Sequence, residues 1–139
     1  MRAVTSLMRV QQLVLGRLDE LLRPHGLTFA RYEALVLLSF SRHGALPLGK
    51  MGERLQVHPT SVTSIVNRLE ASGHVRRERH PTDRRTTMAA LTESGRQAAE
   101  AATRDLVAGG FGVDALDEEG LREVTDLLRP VRRAAGDFT

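Results

Sequence analysis

No cysteine occurs anywhere in the 139 residues. That absence excludes disulfides, thiolate metal sites and thiol-based redox sensing. Lysine is nearly absent too: of twenty basic residues only Lys50 is lysine and the rest are arginine. Arginine suits bidentate phosphate contacts, although coding bias in a GC-rich genome produces the same excess. The longest apolar run, Ala34 to Leu38, is far too short to cross a bilayer. Met1 leads into an amphipathic pattern without the apolar core of a signal peptide, so a soluble, cytoplasmic protein with no membrane partner is expected. The five histidines have no metal-ligand spacing. There is also no HExxH, no G-x-S-x-G, no phosphate-binding glycine loop and no convincing carboxylate pair. An enzyme is therefore not expected, and neither is a metal or other cofactor.

What remains is an ordinary globular balance, 41% hydrophobic and 27% charged, in a chain long enough for one domain with a real core. The net charge of +3 conceals an asymmetry. Residues 99–139 hold nine acids against five arginines, so the first 98 residues carry +7.

The hydrophobic periodicity predicts helices over 4–22 and 29–41, with Pro24 and Gly26 ending the first and Thr28 capping the second. Residues 44–48 read as a short extended link. Leu48, Met51 and Leu55 suggest a short third helix, weakened by Gly49 and Gly52. A fourth helix begins at Pro59 and stops before Gly73. "HVRRERH" and "TTMAALT" read as two strands joined by the turn "PTDRR". Helices over about 92–108 and 117–135 follow, separated by "GGFG", and Pro130 is expected to kink or shorten the last one.

The stretch "VHPTSVTSIVNRLE" carries the functional signal. Val62, Ile65, Val66 and Leu69 form a core stripe, and the opposite face presents Thr60, Ser61, Thr63, Ser64, Asn67 and Arg68. Small hydroxyl and amide residues are mediocre helix formers, and a merely solvated face more often uses Glu, Lys or Gln. Helices three and four have the length and turn of a helix-turn-helix, whose second helix enters the DNA major groove. Hydroxyl and amide groups there can reach base edges and phosphates. A plain exposed polar face is the alternative. The adjoining hairpin favours DNA: residues 76–85 hold five arginines and two acids, and a basic ribbon beside a recognition helix can reach the minor groove. A solvated charged hairpin is the alternative there.

The segments "LTFARYEALVLL", "GERLQVHPTSVTSIVNRLEASGHVRR" and "HPTDRRTTMAALTESG" resemble the multiple antibiotic resistance regulator (MarR) family of bacterial winged-helix transcription factors. The resemblance follows the order of elements over essentially the whole chain. It implies a mostly α fold with a small β-hairpin wing. A winged-helix lobe is expected over about 28–92, with dimerisation helices over about 1–25 and 93–139, all in one domain. It implies a homodimeric regulator, a repressor in the first instance, bound to double-stranded DNA. The contacts it implies are Thr60, Ser61, Thr63, Ser64, Asn67 and Arg68 on the recognition helix and Arg84 and Arg85 on the wing. Asp83 is expected to brace an arginine through a salt bridge. Gly49 departs from the family pattern, in which a Ser or Thr helix cap is more usual at that position. The amphipathic terminal helices agree with dimerisation, though packing within one chain would also cover them. A small anionic or phenolic effector is implied in a cleft between the dimer helices and the DNA-reading lobe, bordered by Arg9, His43, Arg68 and Arg85. A winged helix used only for protein contacts is the competing class, and it predicts no salt-dependent DNA binding.

Overall fold

The computed structural model describes residues 1–137. Six α-helices and a three-stranded antiparallel sheet make up the described fold: α1 (Arg2–Leu22), α2 (Phe29–Phe40), β1 (Ala45–Pro47), α3 (Leu48–Leu55), α4 (Pro59–Ala71), β2 (Val75–Arg79), β3 (Thr87–Leu91), α5 (Glu93–Ala108) and α6 (Glu118–Ala134). The expected element order holds, and helix ends differ from the sequence reading by one or two residues. The C-terminal part expected over 93–139 is described as far as residue 137.

Three details depart from expectation. The link at 44–48 contains a strand, β1, which pairs with β3 and gives the sheet order β1-β3-β2. Its three residues are too few to show a period. Pro47 is tolerated because β1 is an edge strand. Pro130 does not shorten the last helix, and α6 continues to Ala134. Pro130 deprives the Asp126 carbonyl of a donor, but Asp126 is exposed and water can replace it. Finally, α3 begins at Leu48 after Pro47, with no side-chain cap, so Gly49 lies inside the first turn rather than at the capping position.

The core joins the end of α1 (Leu18, Leu22) to α2 (Leu35, Leu38), α4 (Val62, Val66, Leu69), the sheet (Val75, Ala89) and α5 (Ala99, Ala102, Leu106). Asp19 on α1 accepts a hydrogen bond from the Phe29 N–H at 2.7 Å, so α1 satisfies one of the open donors of α2. The small residues of α5 let it lie close to the sheet. At Gly95 an added Cβ would sit 2.0 Å from the His74 carbonyl oxygen. Thr92 fastens the same junction, accepting from the Gly95 N–H at 3.0 Å and donating to the Gly73 carbonyl at 2.7 Å.

The terminal helices leave apolar surface uncovered. Along α1, Val4, Leu7, Met8, Val10 and Leu13 are exposed, and along α6 so are Leu121, Val124, Leu127 and Val131. No residue of α6 is buried. Among the described residues no helix is long and apolar enough to cross a membrane.

Candidate nucleic-acid interface

The helix-turn-helix is built by α3 and α4. Gln56 ends α3 in a left-handed conformation (φ 54°), and the Val57 N–H closes the turn on the Gly52 carbonyl at 3.1 Å. Gly52 is needed for proximity: a Cβ there would meet a Val62 methyl at 3.2 Å and the Val57 oxygen at 3.3 Å. The histidine before Pro59 is the cap of α4. His58 Nδ1 accepts from the Thr60 N–H at 3.2 Å, satisfying one donor of the helix start.

Val62, Val66 and Leu69 bury one side of α4, which turns the polar side outward. Thr60, Thr63, Ser64, Asn67 and Arg68 line one shallow cavity of about 640 Å³ with Pro59. Ser61 is exposed but lies outside that cavity. Thr63 donates its hydroxyl to the Pro59 carbonyl at 3.1 Å, so it offers outward an acceptor oxygen and a methyl group. Arg68 has no ion-pair partner among the described residues.

The wing is β2, β3 and the turn between them, with Arg77 opposite Ala89 and Arg79 opposite Thr87. Its tip is shaped by two side chains. His80 Nδ1 faces the N–H groups of Thr82 at 3.3 Å and Asp83 at 3.2 Å. Asp83 accepts from the Arg85 N–H at 3.0 Å and the Thr86 hydroxyl at 2.8 Å. The expected salt bridge from Asp83 to an arginine is therefore corrected: the carboxylate braces the backbone of the turn. Those hydrogen bonds, the Thr86 hydroxyl first, hold the Asp83 carboxyl below its ordinary range. A depressed carboxylate contributes fully above its unfolded pKa and loses that contribution as pH falls through the folded value. The turn is therefore expected to keep this brace throughout the neutral range.

The five hairpin arginines divide in two. Arg76 pairs with Glu78 at 2.6 Å, and Arg77 pairs with Glu70 of α4 at 2.7 Å. Arg79, Arg84 and Arg85 have exposed side chains and no partner among the described residues. Sequence reasoning missed the bridge from Arg77 to α4, because residues seven and ten positions apart on different elements carry no periodic signal. With Glu70 paired to Arg77, the outward face presents Arg68 and the three free wing arginines, and Asp83 is the acid among them, tied into the turn.

The expected effector residues lie on four separate parts of the chain. Arg68 lines the α4 cavity, Arg9 is exposed on α1, His43 lies in a left-handed turn after α2, and Arg85 is at the wing tip. A different cleft, about 520 Å³, opens between α2 and α5. Tyr32, Val36, Ser39, Phe40, Arg96, Glu100, Thr103 and Arg104 line it, with the Tyr32 and Thr103 hydroxyls 2.8 Å apart. No group of three or more potential metal ligands occurs among the described residues.

Comparison with known proteins agrees with this geometry. Residues 27–87 match the MarR family profile. The structure of Sco5413, a MarR family transcriptional regulator from Streptomyces coelicolor, is 56% identical with a TM-score of 0.94, covering 99% of this chain and 96% of that one. Sco3205 of the same organism, solved in complex with DNA, is 26% identical with a TM-score of 0.86, over 96% of this chain and 88% of that one. CouR from Rhodococcus jostii RHA1, solved with p-coumaroyl-CoA, is 28% identical with a TM-score of 0.76, over 90% and 87%. Against three curated relatives that it matches, this chain spans 38% to 59% of their length. A helix-turn-helix with an arginine-tipped wing, set between two terminal helices and matched over nearly its full length by a 56% identical member, places the chain in the MarR family of transcriptional regulators.

Proposed function

We propose that this chain acts in the cytoplasm as a homodimeric, ligand-responsive repressor, each protomer placing α4 in a major groove and its wing in the adjacent minor groove of a pseudo-palindromic duplex. The observation that carries this reading is the outward face of the helix-turn-helix. Five polar side chains of α4 surround one cavity, and four arginines have no side-chain partner among the described residues. Phosphates would satisfy those arginines, and base edges would satisfy the hydroxyl and amide groups. The exposed stripes of α1 and α6 supply the surface for a second copy. The DNA complex of Sco3205 supports the partner class.

A gel shift on the DNA upstream of the protein's own coding sequence tests this reading. Affinity is expected to fall steeply with salt, with a log–log slope of roughly −4 to −7 if most of the free arginines of two chains displace counterions. A flat salt response would favour the protein-contact reading of the winged helix. Arg84→Ala is expected to weaken binding by about 1–3 kcal/mol and to flatten the slope by about 2 per dimer, without changing the melting temperature. A fall in melting temperature equal to that of a core substitution would contradict the exposed, DNA-facing role.

The cleft between α2 and α5 is the proposed effector site. Two arginines and the Tyr32 phenol beside an apolar wall suit a small carboxylate or phenolate, and the ligand complex of CouR supports a small-molecule effector. A ligand shifts DNA affinity only through differential binding to the two conformations. A coupling of about 2–3 kcal/mol would lower operator affinity roughly 30- to 150-fold. Arg104→Ala is expected to abolish that response while DNA binding is retained, and Arg68→Ala to weaken DNA binding alone. A carboxylate panel that moves neither the gel shift nor the melting temperature would leave a constitutive repressor.

A further inference from the structure

Arg77 does more than pair with Glu70. One arm of its guanidinium, Nη1, donates to Glu70 Oε1 at 2.7 Å, and the other, Nη2, donates to Asn67 Oδ1 at 2.6 Å. The backbone N–H of Arg77 donates to the remaining Glu70 oxygen at 3.1 Å. Three bonds thus tie the start of the wing to the recognition helix. Val75 and Ala89, on the same sheet face as Arg77, are buried, which keeps the fork from swinging away.

The chemistry of the fork dictates how Asn67 is presented. A guanidinium has five donors and no acceptor, so only the amide oxygen of Asn67 can face it. A charge-assisted bond of this length is strong and directional. The Asn67 NH2 group is left on the exposed face, beside Ser64 and Arg68. A free asparagine reads adenine with both atoms, accepting from N6 and donating to N7. Here one of the oxygen's two lone pairs is held by a cation, and the amide cannot turn to present both atoms to one adenine without giving up that bond.

We infer that Arg77 is a positioning residue for base readout: by holding the Asn67 oxygen, it commits Asn67 to reading hydrogen-bond acceptors, guanine N7 and O6 or thymine O4, instead of the paired edge of adenine. The inference rests on the proposed reading of α4 as the base-reading helix. It adds a specificity determinant that lies on the wing and need not touch a base.

The test is selection of preferred duplexes from a randomised pool by the full-length protein and its Asn67→Ala, Arg77→Lys and Arg77→Met variants, with melting temperatures measured for each. The position read by Asn67 is the one whose preference disappears in Asn67→Ala. In the wild type that position is expected to carry an acceptor base. Arg77→Lys keeps the charge but not the fork, and should move the preference there toward adenine by roughly 5-fold or more, the lower end of one base-edge pairing. Arg77→Met should give the same shift plus a uniform loss on all sequences. In an Asn67→Ala background, Arg77→Lys should shift no base. Where Arg77→Met does not fold, Arg77→Lys decides alone. An adenine preference at that position in the wild type overturns the inference, as does an Arg77→Lys variant that weakens all sequences equally. If no duplex is enriched by any variant, the base-reading assignment of α4 falls, and this inference with it.

Discussion

Leu127→Glu is expected to turn the protein into a monomer and to lower operator affinity by at least roughly 100-fold, the order lost when two linked binding units become independent. Leu127 is 75% exposed within one chain and lies at the centre of a stripe with Leu121, Val124 and Val131. No residue of α6 is buried within one chain, and most helical stability in proteins comes from packing an apolar face. Burying one leucine contributes about 1.5–3 kcal/mol, and a symmetric interface counts each position twice. In the proposed dimer a carboxylate at that position forfeits the burial in both chains and brings charge into an apolar seam. Sedimentation equilibrium gives the mass, and a gel shift gives the affinity. An unchanged dimer with unchanged affinity would remove α6 from the interface.

Gly95→Ala is expected to destabilise the fold by roughly 3 kcal/mol, at the upper end of overpacking costs. In a chain of this size that lowers the melting temperature by about 10 °C. The added methyl would sit 2.0 Å from the His74 carbonyl oxygen and 2.8 Å from a Leu91 methyl. The carbonyl cannot retreat cheaply, because it accepts the Thr92 N–H at 3.1 Å. Relief requires α5 to move off β2, which opens the junction beneath the wing. Gly49→Ala is the control. Open space surrounds that position, and alanine is the better helix former by up to about 1 kcal/mol. Thermal unfolding of the two variants should therefore diverge, and equal melting temperatures would mean that α5 lies farther from β2 than the structure shows.

The fold was legible where a residue pattern has a period or a punctuation mark. The stripe Val62, Ile65, Val66 and Leu69 gave α4, Pro59 and Gly73 bounded it, and the strand–turn–strand composition gave the wing. β1 was not legible because Ala45, Leu46 and Pro47 form a strand only by pairing with β3, at Ala90, Ala89 and Met88 far downstream. The polar face of α4 was legible because its residue types are poor choices for a solvated helix. The fork of Arg77 was not, since it depends on β2 lying beside α4. The cleft proposed as the effector site is assembled from α2 and α5, and its arginines, Arg96 and Arg104, lie on a helix that reads as an alanine-rich structural element, so sequence alone does not single them out. Asp83 was correctly placed in the wing but given the wrong partner, because an acid next to two arginines in sequence looks like half of an ion pair. In the folded turn the nearest open donors are the Arg85 N–H and the Thr86 hydroxyl.

The stoichiometry and footprint of the complex on its own upstream DNA test the account most directly. Native mass spectrometry of the complex, read beside a hydroxyl-radical footprint, is expected to show two chains per duplex. The two protected half-sites should be centred roughly one helical turn, about 10 bp, apart on one face of the DNA, so that each α4 enters a successive major groove. One chain bound to a single asymmetric half-site would contradict it.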